Sequence, residues 1–189
     1  MKVSHKLLFI GEPGAGKTTC IAAVSDIPPV VTDVDCTDEL ALRKPTTTVA
    51  FDYGELALGG EDRLLLYGLP GQARFRFMFD IVREGLLGVV VLVDGSTEFA
   101  VQGLRETLET YAADVRELPL VIALNKQTAP SDVLLRQCRT LLEQYGLVAP
   151  IVPVDARRRA DIVRLFELLF ILLDGEADIQ AERGSSQWH

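Results

Sequence analysis

Eight consecutive residues carry the clearest chemistry in the chain: Gly11, Glu12, Pro13, Gly14, Ala15, Gly16, Lys17 and Thr18. They fit the spacing G-x-x-x-x-G-K-[ST], a phosphate-binding loop. Glycines let backbone N–H groups close around a phosphate with no Cβ in the way. The positive end of the following helix adds to the anion site. Lys17 is placed to reach β- and γ-phosphate oxygens, and the Thr18 hydroxyl to ligate Mg²⁺. Thr19 follows and belongs to the same nucleotide-binding run.

Such a loop needs a strand before it and a helix after it. The apolar run Leu7-Leu8-Phe9-Ile10 supplies the strand, and Thr19-Cys20-Ile21-Ala22-Ala23-Val24 opens the helix. Downstream, residues 26–45 are polar and turn-rich, with no sustained helix or strand period. Residues 46–53 and 63–67 read as two strands around a hairpin signal, Gly59-Gly60-Glu61-Asp62. A short helix is expected over residues 73–84. Residues 86–93 and 120–124 are apolar strands, and residues 151–154 a shorter one. Val101, Leu104, Leu108, Tyr111, Ala112 and Val115 have helical spacing, as do Leu134, Cys138, Leu141, Leu142 and Tyr145. So do Ile162, Leu165, Phe166, Leu169, Phe170 and Leu173. The apolar pattern stops at Asp174, so residues 1–174 are expected to form one domain and residues 175–189 a flexible tail.

Alternating strands and helices with apolar strands imply an α/β fold. The expected sheet is six-stranded and mainly parallel, with one antiparallel edge strand and helices on both faces. Ligands of such sheets sit at the carboxyl ends of the strands. Here those ends carry the phosphate loop, Gly68-Leu69-Pro70-Gly71-Gln72 and Asn125-Lys126.

Composition narrows the partners. The chain has 189 residues, 48% of them hydrophobic, and a formal net charge of −8. That is enough for one domain with a real core. An acidic balance argues against sequence-independent nucleic-acid binding and against anionic membranes. Cys20, Cys36 and Cys138 show no C-x-x-C spacing, so a reducing, cytoplasmic setting is expected. No signal peptide, membrane span or lipidation signal is read, so no encoded membrane anchor is expected. His5 and His189 join no ligand cluster.

The order of these motifs resembles a bacterial Ras-like small GTPase of the P-loop NTPase class. It is most similar to the MglA-like branch and to the predicted GTPases encoded beside roadblock-domain proteins. The phrases Thr46-Thr47-Thr48-Val49-Ala50-Phe51-Asp52-Tyr53-Gly54 and Gly68-Leu69-Pro70-Gly71-Gln72 carry the likeness. The resemblance implies GTP/GDP and Mg²⁺ as cofactors, and slow, partner-stimulated GTP hydrolysis. It implies that Thr48 in the first switch closes over the metal, with Thr46 and Thr47 as neighbouring alternatives. In the second switch it implies that the Gly71 N–H contacts the γ-phosphate and that Gln72 orients the attacking water. Gln72 and Lys17 are thus the implied catalytic residues. Arg43, Arg74 and Arg76 are weak arginine-finger candidates, with a solvated face as the simpler reading.

Two positions depart from the Ras-like pattern. Gly68 stands where the second switch has an aspartate that supports Mg²⁺, a loss that the MglA-like branch also tends to show. Thr128 stands where the base-reading motif has a carboxylate, and such a buried mismatch is worth about 1–3 kcal/mol. Asn125 and Lys126 remain for the base, and Asp155-Ala156 sits where the family offers a backbone N–H to the base oxygen. Function then reads as a molecular switch that engages protein partners through residues 26–48 and 68–76, a roadblock-domain regulator among the expected partners. The alternatives are a nucleotide-holding scaffold with little hydrolysis and an ATP-dependent P-loop enzyme.

Overall fold

The computed structural model describes residues 4–34, 49–127 and 129–185. Leu7, Leu8, Phe9 and Ile10 are all at 0% exposure, so the first strand lies at the centre, buried on both faces. This strand, β1 (Ser4–Gly11), runs parallel to β4 (Asp62–Pro70) on one side and to β5 (Leu86–Asp94) on the other. Beyond β5 come β6 (Leu120–Asn125) and β7 (Ile151–Val154), also parallel. Beyond β4 lies β3 (Val49–Gly59), antiparallel, and then β2 (Val30–Val34), antiparallel to β3. Among the described residues the order is β2-β3-β4-β1-β5-β6-β7.

The α/β class, the largely parallel sheet and the hairpin all follow the sequence pattern. The sheet gains a seventh strand, β2, inside a stretch that shows no strand period. Five residues between Pro28-Pro29 and an acidic run are too few to declare a pattern, and pairing with β3 supplies the order instead. The reversed strand, β3, therefore lies second from the edge. The expected helix over residues 73–84 resolves into a 3-10 turn (Ala73–Phe75) and a short helix, α2 (Phe77–Val82).

Two cores flank the sheet. One packs α2, α3 (Ala100–Val115) and α4 (Asp132–Gln144) against Leu8, Ile10, Val89 and Val91. The other packs α1 (Lys17–Val24) and α5 (Arg159–Ser185) against Leu7, Phe9, Val90 and Leu92. Alternate residues of one strand feed opposite cores, as the pleat requires. Helix α5 runs on to Ser185, through most of the segment expected to be a tail. Its packed part, with Ile162, Leu165, Phe166 and Leu169 at 0–4% exposure, nucleates the helix. Extension past Asp174 then follows from good helix formers such as Glu176, Ala177, Gln180, Ala181 and Glu182.

Candidate nucleotide-binding site

Register brings the carboxyl ends of the central strands together. Gly11 pairs with Pro70, Asp94 with Asn125, and Asn125 with Val154. The sequence-singled residues at these ends therefore meet along one edge of the sheet.

The loop between β1 and α1 has the geometry its residues demand. Gly16 has φ +108°, in the left-handed region, and a Cβ there would run into Asn125 Nδ2. Only glycine fits both constraints. Lys17 is 9% exposed and donates from Nζ to the carbonyl oxygens of Gly11 (2.8 Å) and Glu12 (3.0 Å). Burial pushes its ammonium below the usual lysine range, against the pull of the Asp52 and Glu12 carboxylates. A buried cation bent over the loop is what a polyphosphate would find there.

The surroundings of Thr18 contain a residue that the motif reading did not single out. Thr18 Oγ1 donates to Asp52 Oδ1 at 2.8 Å. Asp52 lies on β3 directly across from Gly68 on β4, and a Cβ at Gly68 would meet Asp52 Oδ2 at 2.9 Å and Asp52 Cβ at 3.0 Å. A carboxylate from the neighbouring strand thus stands against the glycine at position 68. The Thr18 hydroxyl and the Asp52 carboxylate are both hard oxygen donors, the kind that Mg²⁺ takes. A pattern search along the chain misses Asp52, because its partnership with Gly68 exists only through strand pairing. Thr46, Thr47, Thr48 and Arg43 lie outside the described residues.

The segment after β4, read from the sequence as a second switch, is folded onto the loop. Gly71 donates its N–H to the Gly11 carbonyl at 2.9 Å, so that N–H is committed to the protein and not free for a γ-phosphate. Gln72 Oε1 accepts from Arg74 Nε at 3.1 Å, which occupies the oxygen that would orient a water. Arg74 also stacks on Phe75, its guanidinium carbon 4.6 Å from the ring centre. Arg76 is held by both oxygens of Asp114 on α3, at 3.0 and 2.6 Å. Both arginines thus have partners within the protein. Tyr111 Oη donates to the Pro70 carbonyl at 2.9 Å, tying α3 to the end of β4.

At the base side, Asn125 is 3% exposed and bridges two segments. Its Nδ2 donates to the Ala15 carbonyl (2.7 Å), and its Oδ1 accepts from the Ala156 N–H (2.9 Å). The Ala156 N–H expected to meet a base oxygen is therefore held by Asn125. Lys126 has φ +63°, the only such non-glycine among the described residues. This strained turn aims its Nζ at the Gly14 carbonyl (2.8 Å) and at Asp94 Oδ2 (2.6 Å). Burial favours the neutral form of Asp94, but hydrogen bonds from Lys126 and Ser96 outweigh it and hold the carboxyl below its usual range. Thr128 lies outside the described residues.

A cleft of about 340 Å³ opens on the other side of the loop, between Glu12, Asp94, Phe99 and Glu106. Glu12 Oε1 is buried there without a hydrogen-bond partner. Burial first, then Glu106, push its carboxyl above the usual range, with Lys17 opposing. A wall carrying Glu12, Asp94 and Glu106 disfavours an anion. Cys20 and Cys138 are buried thiols pushed up to about 12 and about 11 by burial. They are packing residues rather than nucleophiles. Among the described residues no group of three or more His, Cys, Asp or Glu could hold a metal by itself. No helix there is long and apolar enough to cross a membrane.

The loop, the sheet order and the placement of Asn125-Lys126 define a P-loop nucleotide-binding protein with the fold of the Ras-like small GTPases. The chain belongs to the family described as conserved hypothetical ATP binding protein, whose model matches residues 9–149. Among curated relatives, GTPase Obg of Synechocystis sp. is 30% identical over 192 residues, covering 97% of this chain and 50% of that protein. GTPase Obg of Gloeothece citriformis is 29% identical over 183 residues, covering 92% of this chain and 51% of that protein. The chain thus spans about half the length of these relatives. Among solved structures, the Arl6 BBS3 small GTPase from Trypanosoma brucei with bound GppNp aligns with TM-score 0.65 at 15% identity, covering 91% of this chain and 98% of that one. The ADP-ribosylation factor-like, small COPII coat GTPase SAR1 from Encephalitozoon cuniculi, in complex with GDP, aligns with TM-score 0.63 at 20% identity, covering 94% and 83%. These likenesses establish the fold.

Proposed function

We propose that this protein is a nucleotide-dependent molecular switch that binds GTP and GDP with Mg²⁺ and hydrolyses GTP slowly. The observation that carries this reading is the Lys17–Thr18–Asp52 cluster at the mouth of a glycine-shaped loop, with Asn125 pinning the loop to the base side. Bound there through Thr18 and Asp52, Mg²⁺ would screen the charge of the β- and γ-phosphates.

The protein's own groups account for slow turnover. Lys17 stabilises charge on the transferred phosphoryl, once its Nζ exchanges the Gly11 and Glu12 carbonyls for phosphate oxygens. Gln72 orients the attacking water only after its Oε1 leaves Arg74. The Gly71 N–H reaches a γ-phosphate only after it leaves the Gly11 carbonyl. Both contacts must open for the active arrangement, and the γ-phosphate rewards the opening. Protein partners read the result through residues 26–48 and 68–76, a roadblock-domain regulator being the partner the sequence resemblance suggests. The cytoplasm is the matching compartment.

A second reading, an adenine-nucleotide protein, is favoured by Thr128 at the base-reading position and by the description of the family. Titration with GTP, GDP, ATP and ADP, each with and without Mg²⁺, separates the two. The switch reading expects guanine nucleotides to bind about tenfold or more tightly than adenine ones, the worth of one mismatched buried hydrogen-bond group. Equal or tighter adenine binding would replace it. Single-turnover hydrolysis that Gln72→Ala leaves untouched would turn the switch into a scaffold that merely holds nucleotide.

A further inference from the structure

We propose that Asp155 supplies the carboxylate that reads the guanine edge, and that Arg157 occupies this carboxylate until nucleotide displaces it. The inference rests on the nucleotide-binding reading above and names the specificity determinant of that site.

Placement comes first. Val154 ends β7 in register with Asn125, and the next residue but one, Ala156, donates its N–H to Asn125 Oδ1 at 2.9 Å. Asp155 is bracketed between these two buried residues. It is therefore fixed next to Asn125, the residue that the Ras-like resemblance gives to the base. Its own side chain is 23% exposed.

Chemistry comes next. Guanine presents two parallel donors, N1–H and N2–H, and a two-oxygen acceptor reads them best. Thr128 has one hydroxyl and cannot be that acceptor. The Asp155 carboxylate already holds a partner of the same pattern. Arg157 Nε donates to Oδ1 at 2.8 Å and Nη2 donates to Oδ2 at 2.7 Å, a planar fork of two parallel N–H groups. A guanidinium is chemically the donor edge of guanine without the rest of the ring.

The occupant is removable and the acceptor is not. The Arg157 side chain is 81% exposed, so solvent screens its hold. The Arg157 backbone N–H also donates to Oδ1, at 3.0 Å, and keeps the carboxylate aimed when the side chain swings away. The carboxyl is held down to about 2, first by the Arg157 side chain and then by that backbone N–H. It is thus charged at every working pH. Adenine offers an acceptor nitrogen at the corresponding edge and is repelled.

The test uses the full chain, freed of nucleotide, and titrations with fluorescent GDP, IDP, XDP and ADP. For the wild type, GDP is expected to bind about tenfold more tightly than IDP, which lacks the N2 amino group. In Asp155→Asn the acceptor pair becomes one acceptor and one donor. GDP should weaken about a hundredfold and XDP, with a carbonyl at C2, should tighten about tenfold. A gain for XDP cannot come from misfolding. In Arg157→Ala, GDP should bind at least threefold more tightly as the competitor is lost. An unchanged GDP-to-XDP ratio in Asp155→Asn, with GDP still bound, would overturn the assignment and leave the switch reading standing. Unchanged or weaker GDP binding in Arg157→Ala would overturn the displacement. A wild type that binds none of the four would overturn both the inference and the reading under it.

Discussion

At the scale of single residues, the site is held in a closed arrangement by contacts among its own parts. The Arg74–Gln72 hydrogen bond is the clearest case, because one side chain is offered as either helper or restraint. As restraint, Arg74→Ala should raise single-turnover GTP hydrolysis, by about fivefold at most, since an exposed charged contact is worth about 0–1 kcal/mol. A large loss of turnover with nucleotide binding intact would instead make Arg74 an arginine finger. Glu12 gives a pH signature. Its carboxyl is raised by burial and by Glu106, so the folded protein keeps that proton to higher pH than the unfolded chain does. Stability from this group is therefore present at low pH and is lost as pH rises through the raised value. Glu12→Gln should melt a few degrees higher than the wild type at pH 8, on a scale of about 2–4 °C per kcal/mol, with the difference vanishing at pH 4. A constant gap across that range in calorimetry would exclude the linkage.

At the scale of elements, strand pairing decides the metal side. Asp52 and Gly68 are opposite one another on β3 and β4, and there is room for one carboxylate between them. Gly68→Asp, which restores the common Ras-like residue, should therefore destabilise by setting like charges across a strand pair. Asp52→Ala should weaken Mg²⁺-dependent nucleotide binding. The double variant Asp52→Ala, Gly68→Asp should regain part of that binding, because the carboxylate returns to the same space from the other strand. Magnesium titrations of the three variants check this, and a double variant no better than Asp52→Ala would show that the space is not shared. The same pairing explains why β2 escapes the pattern: a five-residue strand takes its order from β3 rather than from its own period.

At the scale of the whole molecule, two cores share one sheet and tie its strands to the helices. Phe166 on α5 is 4% exposed, and its ring centre lies 6.1 Å from that of Phe9 on β1. Phe166→Ala removes the ring from a closed core and should cost about 3–5 kcal/mol in chemical denaturation. A loss below about 1 kcal/mol would mean that the α5 face relaxes into the cavity. Arg159 at the start of α5 donates to the Val24 carbonyl at the end of α1, at 2.9 Å. The helix that follows the base-side loop thereby braces the helix that follows the phosphate loop.

Much of this was legible in the chain. The phosphate loop announces itself because its chemistry is local: glycines, a lysine and a threonine at fixed offsets suffice. Continuous apolar runs mark strands buried on both faces, and spacings of three and four mark the core faces of α3, α4 and α5. Those features need no knowledge of what lies opposite. The placing of the Asp52 carboxylate against Gly68 was not legible, because the two residues are neighbours only across a hairpin register. The commitment of the Gly71 N–H to Gly11, and of Gln72 to Arg74, was equally hidden, because a motif lists donors and acceptors without saying which are already paired. Helix α5 runs on past its core-facing apolar stripe because propagation is cheap once packing has begun. Local spacing thus sets which groups exist and which elements carry them; three-dimensional packing alone assigns their partners, since each hydrogen bond joins residues whose separation along the chain says nothing of their distance in space.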